Sequence, residues 1–285
     1  MRRFAGYRVT FISVVILGFF LLSQMILFIV HQIWDVDAGW NIVQYCLTAV
    51  QGLLQRPIVT AVLFDIFIAY TFAKMGIRLY RQWKQHRSWL YDLRFAEDCL
   101  LTEKIRKQFS NDSLVVVKHQ TWFAFVFGMW KPKIALSSAM VSNLSEEELK
   151  AVIFHEVYHS NRFHPVKLLI VTLFAEGFSY LPIFRQVQHY YKCWTEIEAD
   201  RYALDQTGDL QSLGSALLKM IRCNEENDSL PSAVHFADYA VNYRIKHLLV
   251  PEEPIRIRAV SRRAFTVSCI GILVMMNGMI GGCLS

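Results

Sequence analysis

The chain has a low fraction of charged residues, and its cysteines show no paired spacing. Charged residues make up 19% of its 285 residues and hydrophobic residues 54%, with a mean hydropathy of +0.27. It is therefore richer in apolar residues than an ordinary soluble domain. Its six cysteines show no paired spacing, so we expect free thiols instead of a disulfide framework; they are Cys46, Cys99, Cys193, Cys223, Cys269 and Cys283.

Long runs without charge account for the apolar excess. Residues 9–30 are 22 consecutive uncharged positions, which would extend about 33 Å as an α-helix and span a hydrocarbon core. A signal peptide is the alternative, because Arg2, Arg3 and Arg8 precede the run. The run is too long for that, and no small-residue cleavage site follows it. Two further spans are expected at about residues 58–77 and 264–283.

Three details concern these membrane segments. The apolar stretch at 42–54 is expected to form the outer part of a long helix that is kinked near Pro57. Asp65 lies inside the second span, where burying a carboxylate in lipid is energetically unfavourable. We expect it to face the protein interior; the alternative is that it has a functional partner. Gly278 and Gly282 in the last span permit close helix packing and would suit a homodimer.

Basic residues at the ends of the spans predict their orientation. They follow or precede each span on one side, which we expect to be cytoplasmic because such residues are retained there; they are Arg2, Arg3, Arg8, Arg78, Arg81, Lys84, Arg87, Arg256, Arg258, Arg262 and Arg263. The loop near Asp35 and Asp37 would then face outward. These flanks account for most of the formal charge of +6, so direct nucleic-acid binding is not expected.

The motif His155-Glu156-Val-Tyr-His159 predicts a zinc site. Residues four apart lie one turn above each other on a helix, so His155 and His159 can direct two imidazoles at one ion. The carboxylate of Glu156 can then reach a zinc-activated water and act as the general base in peptide hydrolysis. This pattern favours a zinc-dependent peptidase, although the five residues alone also occur in unrelated proteins.

The surrounding sequence places the motif inside a helix. Ser145 is an expected N-cap, and Glu148 three residues later completes a capping box with an acidic first turn. Apolar residues then recur at helical spacing, which predicts a helix over about 146–162; they are Leu149, Val152, Ile153 and Val157.

Glu196 is the expected third zinc ligand, because a catalytic site normally has three protein ligands and one open position. The segment 194–204 has helix-forming composition, so Glu196 and Asp200 would share one face, with Asp200 orienting a ligand imidazole. Glu198 is the main competitor for the ligand position. Alternatively, the three acidic residues are only a solvated stripe.

The apolar segment 166–184 presents a topological problem. A full membrane crossing there would put Glu196 on the opposite side from His155 and His159. A break at Gly177 and Pro182 resolves this, so we expect a re-entrant or interfacial helical hairpin over about 166–195. Glu176 near its tip must then lie in protein or close to water.

The remaining part, between the second span and the motif helix, is predicted to contain a helix over about 89–108 and three strands. The strands are expected at 114–118, 121–128 and 133–136, forming a small antiparallel sheet whose edge can bind an extended substrate. The aromatic residues of this region are more in keeping with core or interface packing than with a specificity pocket; they are Trp122, Phe123, Phe125, Phe127 and Trp130.

Three segments together resemble the zinc protease module of the BlaR/MecR family of membrane sensor-transducers: Phe-Gly-Met-Trp-Lys-Pro-Lys-Ile-Ala-Leu-Ser at 127–137, the run from Leu144 to His159, and 196–200. The resemblance covers about 120–205. It implies that His155, His159 and Glu196 bind zinc, that Glu156 is catalytic, and that cytoplasmic proteolysis inactivates a transcriptional repressor. The antibiotic-binding domain of the beta-lactam receptors is not found before Ser285, so a beta-lactam sensor is not expected.

The same motifs resemble HtpX-type membrane proteases and CAAX prenyl proteases. Those relatives often have Asp five residues after the second motif histidine, where this chain has His164. We expect His164 to have a helix-end role, the alternative being an extra ligand. The resemblance places Arg244 beside the zinc ligands with Asp200, because a similar arginine follows the site in these families. A direct transition-state role for Arg244 or His235 is the less favoured alternative to ordinary surface placement.

Together these features predict a mainly α-helical, polytopic membrane protein with a zincin-like metalloprotease domain at the cytoplasmic face. Residues 1–80 would form an N-terminal membrane region, 81–263 the protease domain, and 264–285 a C-terminal transmembrane helix. The expected cofactor is Zn²⁺, and the expected partners are the lipid bilayer and a protein substrate such as a transcriptional repressor. An HtpX-like quality-control protease and a catalytically idle membrane sensor are the alternatives.

Overall fold

The computed structural model describes residues 2–34, 57–226, 237–250 and 257–276. In these ranges the chain is mainly helical, as expected. Its elements, in chain order, are α1 (Arg2–Trp34), α2 (Pro57–Ala96), α3 (Cys99–Phe109), β1 (Leu114–Val117), β2 (Ala124–Phe127), β3 (Lys133–Ser137), α4 (Ser138–Asn143), α5 (Glu146–Asn161), α6 (His164–Gly177), α7 (Pro182–Thr207), α8 (Leu210–Glu226), α9 (Ala237–Leu249) and α10 (Arg262–Met276).

The chain divides into two compact units. The first comprises Met1–Gln82, Ile170–Tyr191 and Arg258–Ser285, and the second Trp83–Leu169 and Lys192–Ile257. Helices α2, α6 and α7 contribute residues to both units. The predicted domain boundaries at residues 80 and 263 remain predictions.

In the first unit, helix α1 carries apolar side chains on all of its faces. Val14, Leu21 and Met25 are buried in its core, whereas Ile12 and Ile16 of the same helix are exposed. A helix that is apolar all round is typical of a membrane span. Among the described residues, only Gly6–Val30 is long and apolar enough by length and composition to cross a membrane. This is compatible with membrane association, and the expected number of spans is not confirmed.

The break in the apolar segment lies where the sequence predicts it. Helix α6 ends at Gly177 and α7 begins at Pro182, a position that proline tolerates because its missing N–H has no partner there. A Cβ on Gly177 would lie 2.6 Å from Met75 Cγ, so a larger residue at this position requires the Met75 side chain to move. Glu176 forms an ion pair with Arg78 at 3.4 Å. The path of this hairpin relative to a bilayer stays a prediction.

Several expected features fall outside the described residues. They are the loop with Asp35 and Asp37, the apolar stretch at 42–54, His235, and the pair Gly278 and Gly282. The second expected span lies within α2, and the third begins with α10 and continues beyond the described residues. In the described ranges no disulfide links the cysteines at 99, 193, 223 and 269.

The second unit contains a three-stranded sheet that is mixed, so the predicted all-antiparallel pairing is wrong. The strand order is β1-β3-β2, with β3 parallel to β1 and antiparallel to β2. After β1 the chain passes to the far edge and forms β2, and the short turn after β2 returns β3 between the other two strands. Gly128 serves this turn with a φ of +93°, a conformation that glycine adopts without strain.

The helix expected over 89–108 is two helices. α2 ends at Ala96 and α3 begins at Cys99. Between them Glu97 forms a bridge with Val117 of β1, and the carboxylate of Asp98 accepts a hydrogen bond from the Leu101 N–H as the N-cap of α3. An Asp that caps the backbone competes with helix continuation, which explains the break.

The motif helix α5 begins as the sequence predicts. The Ser145 hydroxyl accepts a hydrogen bond from the Glu148 N–H, and the Glu148 carboxylate accepts one from the Ser145 N–H, which forms the capping box. Glu148 also accepts hydrogen bonds from Ser215 and Lys219 of α8. Leu149, Val152 and Ile153 pack into a core with the inner face of the sheet. The start and the rotation of α5 are therefore fixed by both polar and apolar contacts.

The opposite face of the sheet holds the aromatic residues. Phe123 and Phe125 contact each other and make edge-to-face contacts with Trp89 of α2, at centroid distances of 5.7 and 5.0 Å. Trp122 is buried in the core on the other face, whereas Trp130 is 90% exposed. Core packing therefore accounts for most of this cluster, as the sequence suggested.

Candidate metal centre

Two turns of α5 and one turn of α7 bring three side chains to a single point within the second unit. His155 and His159 lie on one face of α5, and Glu196 approaches them from α7. The two histidine Nε2 atoms are 3.1 Å apart, and carboxylate oxygens of Glu196 lie 3.4 Å from His155 Nε2 and 3.7 Å from His159 Nε2. Among the described residues, these three form the group that can hold a metal ion.

The distances fit a tetrahedral metal. For ligand atoms at the usual zinc distances, the edge of a tetrahedron is about 3.3 to 3.5 Å. The two Nε2 atoms are 3.1 Å apart, Glu196 Oε2 lies 3.4 Å from His155, and Glu196 Oε1 lies 3.7 Å from His159, so each distance is close to that edge, with a different Glu196 oxygen facing each histidine. Two imidazoles and one carboxylate also leave the fourth corner open for water or a substrate carbonyl. The residues present therefore suit Zn²⁺ without rearrangement of the backbone.

Asp200 and Arg244 form a buried layer behind the ligands. Asp200 Oδ1 lies 2.8 Å from His155 Nδ1, a close ionic contact that is not aligned as a hydrogen bond. Arg244 of α9 donates two hydrogen bonds of 2.7 Å to the Asp200 carboxylate and lies 3.4 Å from Glu196. Arg244 therefore lies beside the candidate ligands, where the resemblance places it, and not at the surface.

Glu198, the competing ligand, turns away from the histidine cluster. Its carboxylate accepts a hydrogen bond of 2.5 Å from the Tyr158 hydroxyl, on the neighbouring face of α5. Residues two apart on a helix do not share a face, so only one of Glu196 and Glu198 can meet the histidines. The structure brings Glu196 and Asp200 to the site, as the sequence predicts.

His164 contacts the second motif histidine directly. Its Nδ1 lies 2.7 Å from His159 Nδ1, and His164 is also the first residue of α6. The turn between α5 and α6 passes through Phe163, whose φ of +52° is unusual for a residue with a side chain. The expected helix-end position is observed, but the contact with His159 was missed because a tight turn creates it.

An apolar cleft leads to the ligands. It has a volume of about 390 Å³, and the side chains of His155, Glu156, His159, Glu196 and Arg244 line one wall. The edge strand β2 forms another wall through Ala124, Phe125 and Val126. Helix α8 closes the cleft with apolar side chains, namely Leu213, Ala216, Leu217 and Met220. An extended peptide has room to lie beside β2 and above the histidines.

A family model matches the part of the chain that contains these residues. The model of the BlaR1 peptidase M56 family matches residues 45–248, which is more than half of the chain and includes both motifs. The chain belongs to the BlaR1 peptidase M56 family. No curated protein matches the chain. The resemblance to the BlaR/MecR family is thereby confirmed, and a place among peptidases is established at the level of the family.

The electrostatics of this M56 peptidase centre favour a cation. Burial acts to raise the pKa of Glu196, but His159, His155 and Arg244 outweigh it and hold this pKa far below its usual range. Burial and Arg244 act to lower the pKa of His155, yet Asp200 and Glu196 raise it to about 9. Burial lowers the pKa of His159 to about 4. Without metal, the site therefore draws a proton onto His155.

The pKa of Glu156 is shifted in the opposite direction from the pKa of Glu196. It is buried in the cleft wall, and burial raises its pKa to about 7. A general base works best when its pKa lies near the working pH, because it must both accept and release the proton. A cation bound beside Glu156 would favour its ionised form. The position and the pKa of Glu156 both suit the role that the motif predicts.

We expect zinc binding by this M56 peptidase to strengthen with pH. Since the pKa of His155 is about 9, a proton occupies this ligand at pH 7 and the metal must displace it. The zinc dissociation constant should fall by at least about tenfold per unit between pH 6 and pH 8. Competition with a chelator measures this dissociation constant. Asp200→Asn removes a carboxylate that raises the pKa and should weaken the dependence; an unchanged constant in the wild type across this range would contradict the prediction.

Proposed function

We propose that this M56 peptidase is a zinc-dependent endopeptidase, with His155, His159 and Glu196 as its metal ligands. The observation that carries the proposal is the approach of their nitrogen and oxygen atoms to within 3.1 to 3.7 Å of one another, in the wall of a cleft beside the edge strand β2. Charge supports it as well. The buried carboxylates of Glu156 and Asp200 and the partly buried carboxylate of Glu196 face a single guanidinium, and a dication completes the balance.

Each residue at the candidate metal centre has a separate role in the proposed reaction. When bound, zinc supplies Lewis-acid polarisation of the scissile carbonyl and of the attacking water. Glu156 accepts the proton of that water and delivers it to the leaving amine. Arg244 holds Asp200 with two parallel hydrogen bonds, and Asp200 in turn orients the His155 ring. The apolar wall of α8 excludes bulk water from the reaction.

The edge of β2 is the proposed docking strand for the substrate. β2 pairs with β3 on one side only, and its other side borders the cleft. An extended peptide can add to such an edge by backbone hydrogen bonds, which hold a peptide bond at a fixed height over the histidines. The apolar side chains of α8 opposite β2 would then favour apolar side chains in the substrate.

Isosteric variants test the ligand set. Glu196→Gln keeps the shape of the side chain but removes the charge that binds metal, so purified protein should lose the roughly one zinc per chain expected of the wild type. Glu198→Gln is the matched control, because its amide oxygen still accepts the Tyr158 hydrogen bond. Glu156→Gln should retain zinc and lose at least about 100-fold in hydrolysis of an unfolded protein.

The outcomes separate the alternatives. Zinc retained in Glu196→Gln and lost in Glu198→Gln would contradict the proposed ligand set. Hydrolysis at the wild-type rate by Glu156→Gln would contradict the proposed base. A catalytically idle sensor would keep its cellular function in Glu156→Gln, whereas a protease would lose it.

We further propose a multi-pass membrane protein whose site faces the cytoplasm. Helix α1 supports the first span. Val62, Ile66 and Tyr70 on the first half of α2 are apolar or aromatic and exposed, which supports the second. Arg78 forms an ion pair with Glu176 and so compensates its charge, which would otherwise be unfavourable in a hairpin that lies in lipid. The basic flanks of each span support the orientation.

Thiol labelling tests the orientation. Cys99 is exposed, so a variant that retains only Cys99 should react with a membrane-impermeant maleimide after permeabilisation but not in intact cells. A second variant, cysteine-free except for Asp37→Cys, places its thiol in the loop expected to face outward and should react in intact cells. Labelling of Cys99 from outside would contradict the proposed orientation.

The favoured biological role is cleavage of a regulator such as a transcriptional repressor, in keeping with the sensor-transducers that the sequence resembles. Quality control of membrane proteins is the second candidate. Comparing new protein N-termini in cells with wild-type chain or Glu156→Gln distinguishes them. Termini confined to one or a few DNA-binding regulators would support signalling, and termini spread over many membrane proteins would contradict it.

A further inference from the structure

The two metal-binding histidines have different partners on their far side. His155 Nδ1 faces the Asp200 carboxylate, whereas His159 Nδ1 faces the imidazole of His164 at 2.7 Å. The rings of His159 and His164 meet edge to face, with centroids 5.0 Å apart. His164 is 2% exposed, so water does not compete for this contact.

Two ring nitrogens at this separation must share one proton. Two N–H groups would collide, and two lone pairs would repel each other. If His159 Nε2 binds the metal, its lone pair is used there, and the ring proton of His159 must be on Nδ1. The Nδ1–H of His159 therefore donates to the Nδ1 of His164, which leaves His164 neutral with its own proton on Nε2. The contact thus fixes the tautomer of both rings.

The backbone around His164 is arranged to make this contact. Arg162 is the C-cap of α5, Phe163 adopts a left-handed conformation, and α6 begins at once with His164 and Pro165. Phe163 is 45% exposed, so burial of its own side chain does not explain its unusual φ. The turn does explain it, because it returns the next residue to the ligand helix.

We propose that His164 is the positioning residue for His159, holding its ring and tautomer in place for zinc as a neutral acceptor. This inference depends on the proposed metal site. A carboxylate at this place would make His159 a more basic ligand and add negative charge to the centre. The neutral imidazole fixes the direction of the ring without that charge, so the two ligand histidines differ in donor strength.

An isosteric series at position 164 tests the proposal. In Asn, Asp and Leu the atoms beyond Cγ occupy similar positions, and Asn Oδ1 stands where His Nδ1 stands. His164→Leu removes the acceptor, His164→Asn restores a neutral one, and His164→Asp supplies a charged one. His119→Leu, at an exposed residue, controls for the loss of a histidine.

The readouts are the zinc dissociation constant by chelator competition, the visible spectrum of the cobalt-substituted protein, and the melting temperature of the metal-free protein. We expect His164→Leu to weaken zinc binding about 10- to 100-fold and to alter the cobalt spectrum. His164→Asn should return both readouts close to wild type, and His164→Asp should bind zinc at least as tightly as the wild type.

A helix-end role alone would give different results. Equal weakening in His164→Leu and His164→Asn, together with lower melting temperatures without metal, would overturn the proposal. Wild-type affinity in His164→Leu would overturn it too. Failure of the wild type itself to bind zinc would instead contradict the proposed function, so the two failures are distinguishable.

Discussion

The centre depends on negative charge that the fold has buried beside two imidazoles. Asp200 is almost completely inaccessible, and Glu196 and Glu156 lie in the cleft wall. Isolated buried carboxylates are costly, and they persist only when cations or hydrogen-bond donors compensate them. Arg244 compensates Asp200 and Glu196 in part. The remaining negative potential raises the pKa of His155 to about 9, and a dication is the group that such a potential is suited to hold.

This charge arrangement requires α5, α7 and α9 to keep fixed positions relative to one another, and α8 supports α5. α5 is held to α8 by the Glu148 hydrogen bonds and to α7 by the hydrogen bond between Tyr158 and Glu198. Arg201 of α7 donates a hydrogen bond to His247 of α9, one turn from Arg244. These polar contacts are buried or partly buried, where geometry matters more than in water. None of these contacts involves a candidate ligand side chain, so they position the helices without competing for a metal ion.

The sequence predicted the elements that carry the candidate ligands and the approach of Glu196 and Asp200 to the two histidines, whereas other contacts between elements were not predicted. The capping box at Ser145 and the break at Gly177 and Pro182 depend on nearby residues, and both are confirmed. The parallel pairing of β1 with β3 depends on how the chain crosses the sheet, and it was missed. Arg244 lies 44 positions from Asp200; its resemblance to an arginine of related families pointed to the site, but only the packing of α9 shows its hydrogen bonds to Asp200.

The two cleft carboxylates show how one fold assigns opposite tasks to the same chemical group. Glu196 faces two imidazoles and a guanidinium, which keep it ionised and suited to hold a metal. Glu156, one residue from His155 and on a different side of α5, lies in the same cleft wall, where burial raises its pKa to about 7. Separate pKa values are the usual sign of separate roles in a buried pair. The division follows from helix geometry, because adjacent residues differ by about 100° around the axis, so His155 and Glu156 leave α5 in different directions.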